Sequence, residues 1–206
     1  MSGNTYIQKL KEAYIKNGLQ NEWNHLFEIA HGISETDKQL LLQEYPDFPQ
    51  SLMELLELID GTYWRKYGEE EVTYYFFGSD VDEGEYPYYL FSAKNIMDNK
   101  DCASNFGDLF YYFLEEPDEV YGPFIDSKIQ LDVNKLKWLK FSDCMNNGGT
   151  SSLYIDFTPS EQGIKGQVIR YLHDPDELKV VANSFDEFLE MLIENGLPFI
   201  HDDDFE

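Results

Sequence analysis

An aspartate, a histidine and a serine stand close together in the segment 151–193: Asp156, His173 and Ser184. These residue types can perform acyl transfer, in which a base takes the serine proton and a carboxylate orients the base. That chemistry needs the serine held beside the base, commonly on a sharp G-x-S-x-G turn. Ser184 sits instead in "ANSFDEF". There its hydroxyl is placed to accept from the Glu187 N–H, while the Glu187 carboxylate reaches back to the Ser184 N–H. That pattern is a capping box at the start of a helix. His173 lies in "LHDPDE", a turn signature. Asp156 closes an alternating run and is placed to bond into the following "TPSEQG" turn, as short acidic side chains do. All three read as scaffold.

Other chemistries are weaker still. The four histidines, His25, His31, His173 and His201, form no H-E-x-x-H pair, so a zincin-type metal site is not expected. The acidic run from Asp80 invites a calcium reading. An EF-hand loop needs Gly at its sixth position and Glu at its twelfth, and here those positions hold Glu85 and Phe91. "GIKGQV" lies between strand patterns and lacks the Lys-Ser/Thr of a phosphate loop. "NNGGTSS" precedes a strand and reads as a turn. The aromatic runs lack the interleaved Lys and Arg of a nucleic-acid surface. No catalytic residue, metal or cofactor is assigned, and the chain is expected not to be an enzyme.

Composition narrows the partners. Forty Asp and Glu against 15 Lys and Arg give a formal charge of −25. Such a field repels nucleic acid and anionic lipid and attracts basic proteins. The 206 residues are 42% hydrophobic, with 15 Phe, 15 Tyr and 3 Trp, enough for a sizeable core. There is no apolar run of membrane-spanning length and no signal-type N-terminus, so a cytoplasmic protein is expected. Cys102 and Cys144 fit that compartment, and the sequence leaves a bridge between them open.

The elements that must carry these residues follow from periodicity. Tyr6, Ile7, Leu10, Ala13 and Tyr14, then Trp23, Leu26, Phe27 and Ala30, mark two helices. Ser34 reads as the N-cap of a third, with Leu40, Leu41 and Tyr45 on one face. "PQSLMELLELIDG" is a fourth, with Pro49 in its first turn and Gly61 as its stop. "EVTYYFFG" and "YPYYLFS" read as a hairpin joined by the acidic "SDVDEGE" segment, and "SAKNIMDN" as a short helix. Residues 101–135 are the least readable, and "DLFYYFL" fits a strand or a helix turn. "KLKWLKFSD", "SLYIDFT", "QVIRYLH" and "KVVA" read as strands, the second half-buried, followed by a helix opened by Ser184.

Several of these motifs together resemble the SUKH superfamily, the Smi/Knr-type domain. They are "YPDFPQSLMELLELIDG"; "YYFFG" with "YYLFSAKNI"; "KWLKFSDCMNNGGTSSLYIDFTPSEQGIKGQVIRYLHD"; and "VVANSFDEFLEMLIENG". The resemblance covers roughly residues 35–197. It implies an α+β single domain with a mixed, mainly antiparallel sheet wrapped by helices. The expected organisation is an N-terminal helical extension at 1–33, the SUKH-like domain at 34–198 and an acidic tail at 199–206. It implies that Trp138, Asp156, Gly166, Gln167, Ser184 and Phe185 are framework positions, and it carries no catalytic residue. It also implies a role: bacterial members are commonly immunity proteins that neutralise toxins, often nucleases, and fungal members are regulators tied to cell-wall synthesis.

The expectation is therefore a non-enzymatic immunity protein that occludes the active site of a basic toxin domain. The alternative is a regulatory or scaffold protein. The candidate contact residues are Asp80, Asp82, Glu83 and Glu85, with Tyr86, Tyr88 and Tyr89 beside them. The competing reading of that segment is a solvated loop flanked by core tyrosines. The additions at 1–33 and 101–135 depart from the family pattern.

Overall fold

Four helices lead the chain, each fixed by local chemistry. In the computed structural model, which describes residues 1–80, 87–115, 122–144, 151–173 and 175–200, α1 spans Gly3–Lys16 and α2 Gln20–Ile29. Ser2 caps α1 by accepting from the Thr5 N–H. α3 spans Glu35–Glu44, and its Ser34 cap accepts from the Asp37 N–H at 3.1 Å. Its buried positions are Leu41 and the flanking Tyr45, one helical turn apart, whereas Leu40 points outward. α4 spans Gln50–Leu58, with Pro49 standing just ahead of its first turn.

The helices α1 and α2 are no appendage. Tyr6 donates its hydroxyl to the Phe76 carbonyl at 2.6 Å, and Tyr14 to that of Tyr75 at 2.8 Å. Gly3 lies so close to α4 that an added Cβ would stand 2.3 Å from the Ser51 carbonyl oxygen. Leu10, Trp23 and Leu26 join Leu52, Leu55, Phe77, Phe141 and Phe188 in the main core. Phe199 and Ile200, expected in the tail, are buried in the same core. Residues 201–206 lie outside the described residues.

A short hairpin, β1 (Arg65–Tyr67) and β2 (Glu70–Val72), precedes the main sheet. The sheet is built from β3 (Tyr75–Phe77), β4 (Tyr88–Leu90), β5 (Phe124–Ile125), β6 (Trp138–Cys144), β7 (Ser151–Asp156), β8 (Gln167–Leu172) and β9 (Glu177–Ala182). Its order is β3-β4-β6-β7-β8-β9-β5, antiparallel except for the parallel β5–β9 pair. The fold is α+β, a single domain with a mixed, mainly antiparallel sheet.

Both sheet faces are covered. On one, Leu153, Ile155 and Val168 meet α1, α4 and α7 (Phe185–Glu194). On the other, Trp138, Tyr154 and Ile169 meet a 3-10 turn (Cys102–Phe106) and α6 (Gly107–Glu115). The central strand β7 is consequently buried along its whole length rather than half-buried. Burial on both faces removes the solvent side that an alternating pattern implies. The short α5 (Ala93–Asp98) follows β4 as expected. "DLFYYFL" is helical, within α6. Both cysteines are free and buried, and burial raises each thiol to about 11.

Candidate partner-binding site

The structure separates the three residues that could have formed a catalytic set. Asp156 pairs in register with Gln167 at the start of β8, and His173 follows the end of that strand. Six residues of strand at about 3.3 Å each put them on the order of 20 Å apart. His173 is exposed and bonds to Asp176 at 2.9 Å, beside Tyr171. Ser184 caps α7, accepting from the Glu187 N–H at 3.1 Å. The return half of the capping box goes elsewhere: the Glu187 carboxylate accepts from the N–H and side-chain amide of Asn183.

Asp156 and Gln167 form the tie that holds the turn 157–166. The Asp156 carboxylate accepts from the Thr158 N–H at 2.8 Å and from Gln167 Nε2 at 3.0 Å. Gln167 also donates to the Lys128 carbonyl at 3.1 Å and accepts from the Ile164 N–H at 3.1 Å. Gly166 closes the turn at φ 91°, a left-handed conformation that favours glycine. Burial raises the Asp156 carboxyl above its ordinary range, against the lowering effect of these bonds. The Trp138 indole N–H acts on the same carboxylate without completing a hydrogen bond. Phe185 is buried against Phe77 and Phe141. All six expected framework residues lie in or beside the core.

Three connections gather at one end of the sheet. Tyr88 pairs with Cys144, Ser151 with Leu172, and Leu172 with Glu177. The links after Phe77, Cys144 and Leu172 therefore leave from the same end. Asp82, Glu83, Glu85 and Tyr86 lie outside the described residues. Their neighbours Tyr88 and Tyr89 are core, at 0% and 2% exposure, and offer no contact surface. Tyr88 packs in the main core with its hydroxyl on Ser151, and Tyr89 lies between the tilted rings of Tyr63 and Tyr75. Asp80 is also drawn inward. It accepts from Arg170 Nε at 2.6 Å and Lys179 Nζ at 2.6 Å. Burial would raise its carboxyl, but those two cations outweigh it and hold the group below its ordinary value.

Sequence reasoning missed a further feature, on the sheet face that α6 covers. α6 is apolar nearly all round, yet Phe110 is its one buried residue. Tyr111, Tyr112 and Leu114 are 57%, 54% and 57% exposed, and Phe124 on the edge strand β5 is similarly open. A helix that is apolar all round normally has partners on every side. The signal lies in "DLFYYFL", an unbroken apolar run that by itself fits a strand or a helix turn. Beneath α6 a cleft of about 380 Å³ runs along the sheet, lined among others by Phe106, Asp108, Tyr112, Tyr154, Tyr171 and Asp176.

Among the described residues, no helix is long and apolar enough to cross a membrane. Comparison with curated proteins finds no match. The sequence pattern of the SMI1 / KNR4 family (SUKH-1) matches residues 32–191, which include β6 to β9, the Asp156–Gln167 tie and most of α7. Over most of its length, then, the chain is shown to belong to the SMI1 / KNR4 family (SUKH-1).

Proposed function

We propose that the chain is a cytoplasmic, non-enzymatic immunity protein that binds a basic bacterial toxin domain and covers its active site. Membership of the SMI1 / KNR4 family (SUKH-1) fits an immunity or regulatory role built on protein–protein contact. The observation that carries the reading is the exposed aromatic face of α6 above a cleft edged by Asp108 and Asp176. Tyrosines with large contact area and little rotamer entropy are characteristic anchors of protein interfaces. The net charge of −25 favours a basic partner, a nuclease being one such class, and disfavours nucleic acid or anionic membrane. The acidic residues Asp82, Glu83 and Glu85 would add to the field that steers that partner in.

The test is a search of the adjacent genes for one encoding a toxin domain, and co-expression of that domain with this chain. Growth arrest by that domain should be relieved, and the two proteins should co-elute as a stable complex that lacks toxin activity. Tyr111→Ala/Tyr112→Ala should weaken the complex at least tenfold while leaving the fold intact. Failure to form a complex rejects the reading. A complex that leaves the toxin active returns the chain to a regulatory or scaffold role.

A further inference from the structure

We infer that the cleft beneath α6 is a socket for an arginine side chain of the basic partner, with the guanidinium held between aromatic faces and the carboxylates of Asp108 and Asp176. The inference rests on the proposed partner for its biology, but the socket stands on its own geometry.

At about 380 Å³ the cleft lies near the lower end of ligand-site volumes, about 300–1,000 Å³, and suits one long side chain better than a cofactor. Its walls are Phe106, Tyr112, Tyr154 and Tyr171. Phe106 stands edge-on to Tyr154 and Tyr171, with ring centroids 5.8 Å and 5.0 Å away. Such walls attract a weakly hydrated, planar cation.

The charges favour a cation as well. Lys140 is the one cation among the described lining residues, and it pairs with Asp143 at 3.0 Å. Asp143 itself accepts from Ser152 at 2.8 Å. Asp108 is exposed and makes no ion pair with another described residue. Asp176 accepts from the Tyr171 hydroxyl at 2.6 Å and from His173 at 2.9 Å through one oxygen, and its second oxygen accepts from no other described residue. Two carboxylates therefore remain without a full counter-charge.

Tyr154 adds a hydroxyl to the same wall: it is 4% exposed, lines the cleft, and has Ser152, itself a donor to Asp143, as its hydrogen-bond partner. The phenolic oxygen keeps acceptor capacity beside that contact. It can accept from a guanidinium, whose five N–H donors form a planar fork. An ammonium has no planar face to lay on the ring walls, so arginine is preferred to lysine.

The experiment needs no toxin. The full chain, labelled with ¹⁵N, is titrated with N-acetyl-arginine amide, with N-acetyl-citrulline amide as the neutral isostere. The expected result is saturable shifts at Asp108, Tyr154, Tyr171 and Asp176 with the arginine probe and none with citrulline. The Asp108→Asn/Asp176→Asn variant should lose at least tenfold in probe affinity. Asp108→Asn alone, at an exposed position, serves if the double variant misfolds, and should lose severalfold. Equal shifts with citrulline, no saturable shifts at the cleft, or unchanged affinity in the variants overturns the socket. Because the readout is the isolated chain, that failure is distinct from failure to bind a toxin.

Discussion

Asp80 and Arg170 meet at 2.6 Å although they come from opposite parts of the sheet. Asp80 follows the edge strand β3, whereas Arg170 lies in β8, four strands away in the sheet order. The Arg170 side chain is 2% exposed and also binds Glu177 at 2.5 Å, while Lys179 supplies a second cation to Asp80. The start of the acidic segment is thereby pinned across one sheet face.

Asp80→Asn should lower stability at pH 7 by about 1.5–3 kcal/mol, the range for hydrogen bonds to charged groups. The Asp80 carboxyl is held below its ordinary value of 3.8 in the folded state. Its contribution is therefore present above that pH and is lost as pH falls through the lower folded value. Urea unfolding of parent and variant should differ at pH 7 and converge as pH falls well below the ordinary value of 3.8. A constant difference across that range would show that charge is not the cause.

Gln167→Ala should cost about 2–4 kcal/mol, because it strands the Lys128 carbonyl, the Ile164 N–H and one Asp156 oxygen at once. Asp156 works in the opposite sense to Asp80. Its carboxyl is raised by burial, so this group's contribution is fully present below the ordinary value of 3.8 and is lost as pH rises through the raised folded value, and the Gln167 hydrogen bond, which lowers it, counts most when Asp156 is ionised. The Gln167→Ala deficit should therefore shrink under mildly acidic conditions, which denaturation at pH 7 and pH 5 will measure.

Ser184→Ala should cost about 1 kcal/mol, the usual worth of an N-cap. For a chain of this size that corresponds to a melting temperature lower by about 2–4 °C. Partner affinity, measured well below the transition, should stay within twofold. A larger affinity loss in a folded variant would show that Ser184 does more than cap α7.

Replacing Asp82, Glu83 and Glu85 with their amides should slow association with a basic partner by about tenfold at low salt. Asp80 is left out of that set because its charge is committed to Arg170 and Lys179. The difference should close as ionic strength rises and the screening length falls to about 3 Å at 1 M. Stopped-flow mixing at two salt concentrations measures it, and equal rates at low salt would remove this segment from steering.

What the sequence by itself determined were the local decisions. Ser34 and Ser184 marked helix starts because a short hydroxyl side chain satisfies a free N–H there. Alternation in 151–156 and the turn that follows it marked two successive strands, and the motifs around Trp138, Asp156, Gly166 and Gln167 pointed to the family. Tertiary structure decided what local pattern cannot encode. It set the burial of Tyr88 and Tyr89, which depends on which strands flank β4. It set the fate of Asp80, whose partners lie 90 and 99 residues along the chain. It made β7 a fully buried strand by placing α6 over the face that alternation left to solvent. And it exposed Tyr111, Tyr112 and Leu114 on α6, because a run of six apolar residues offers more face than the sheet beneath it can cover.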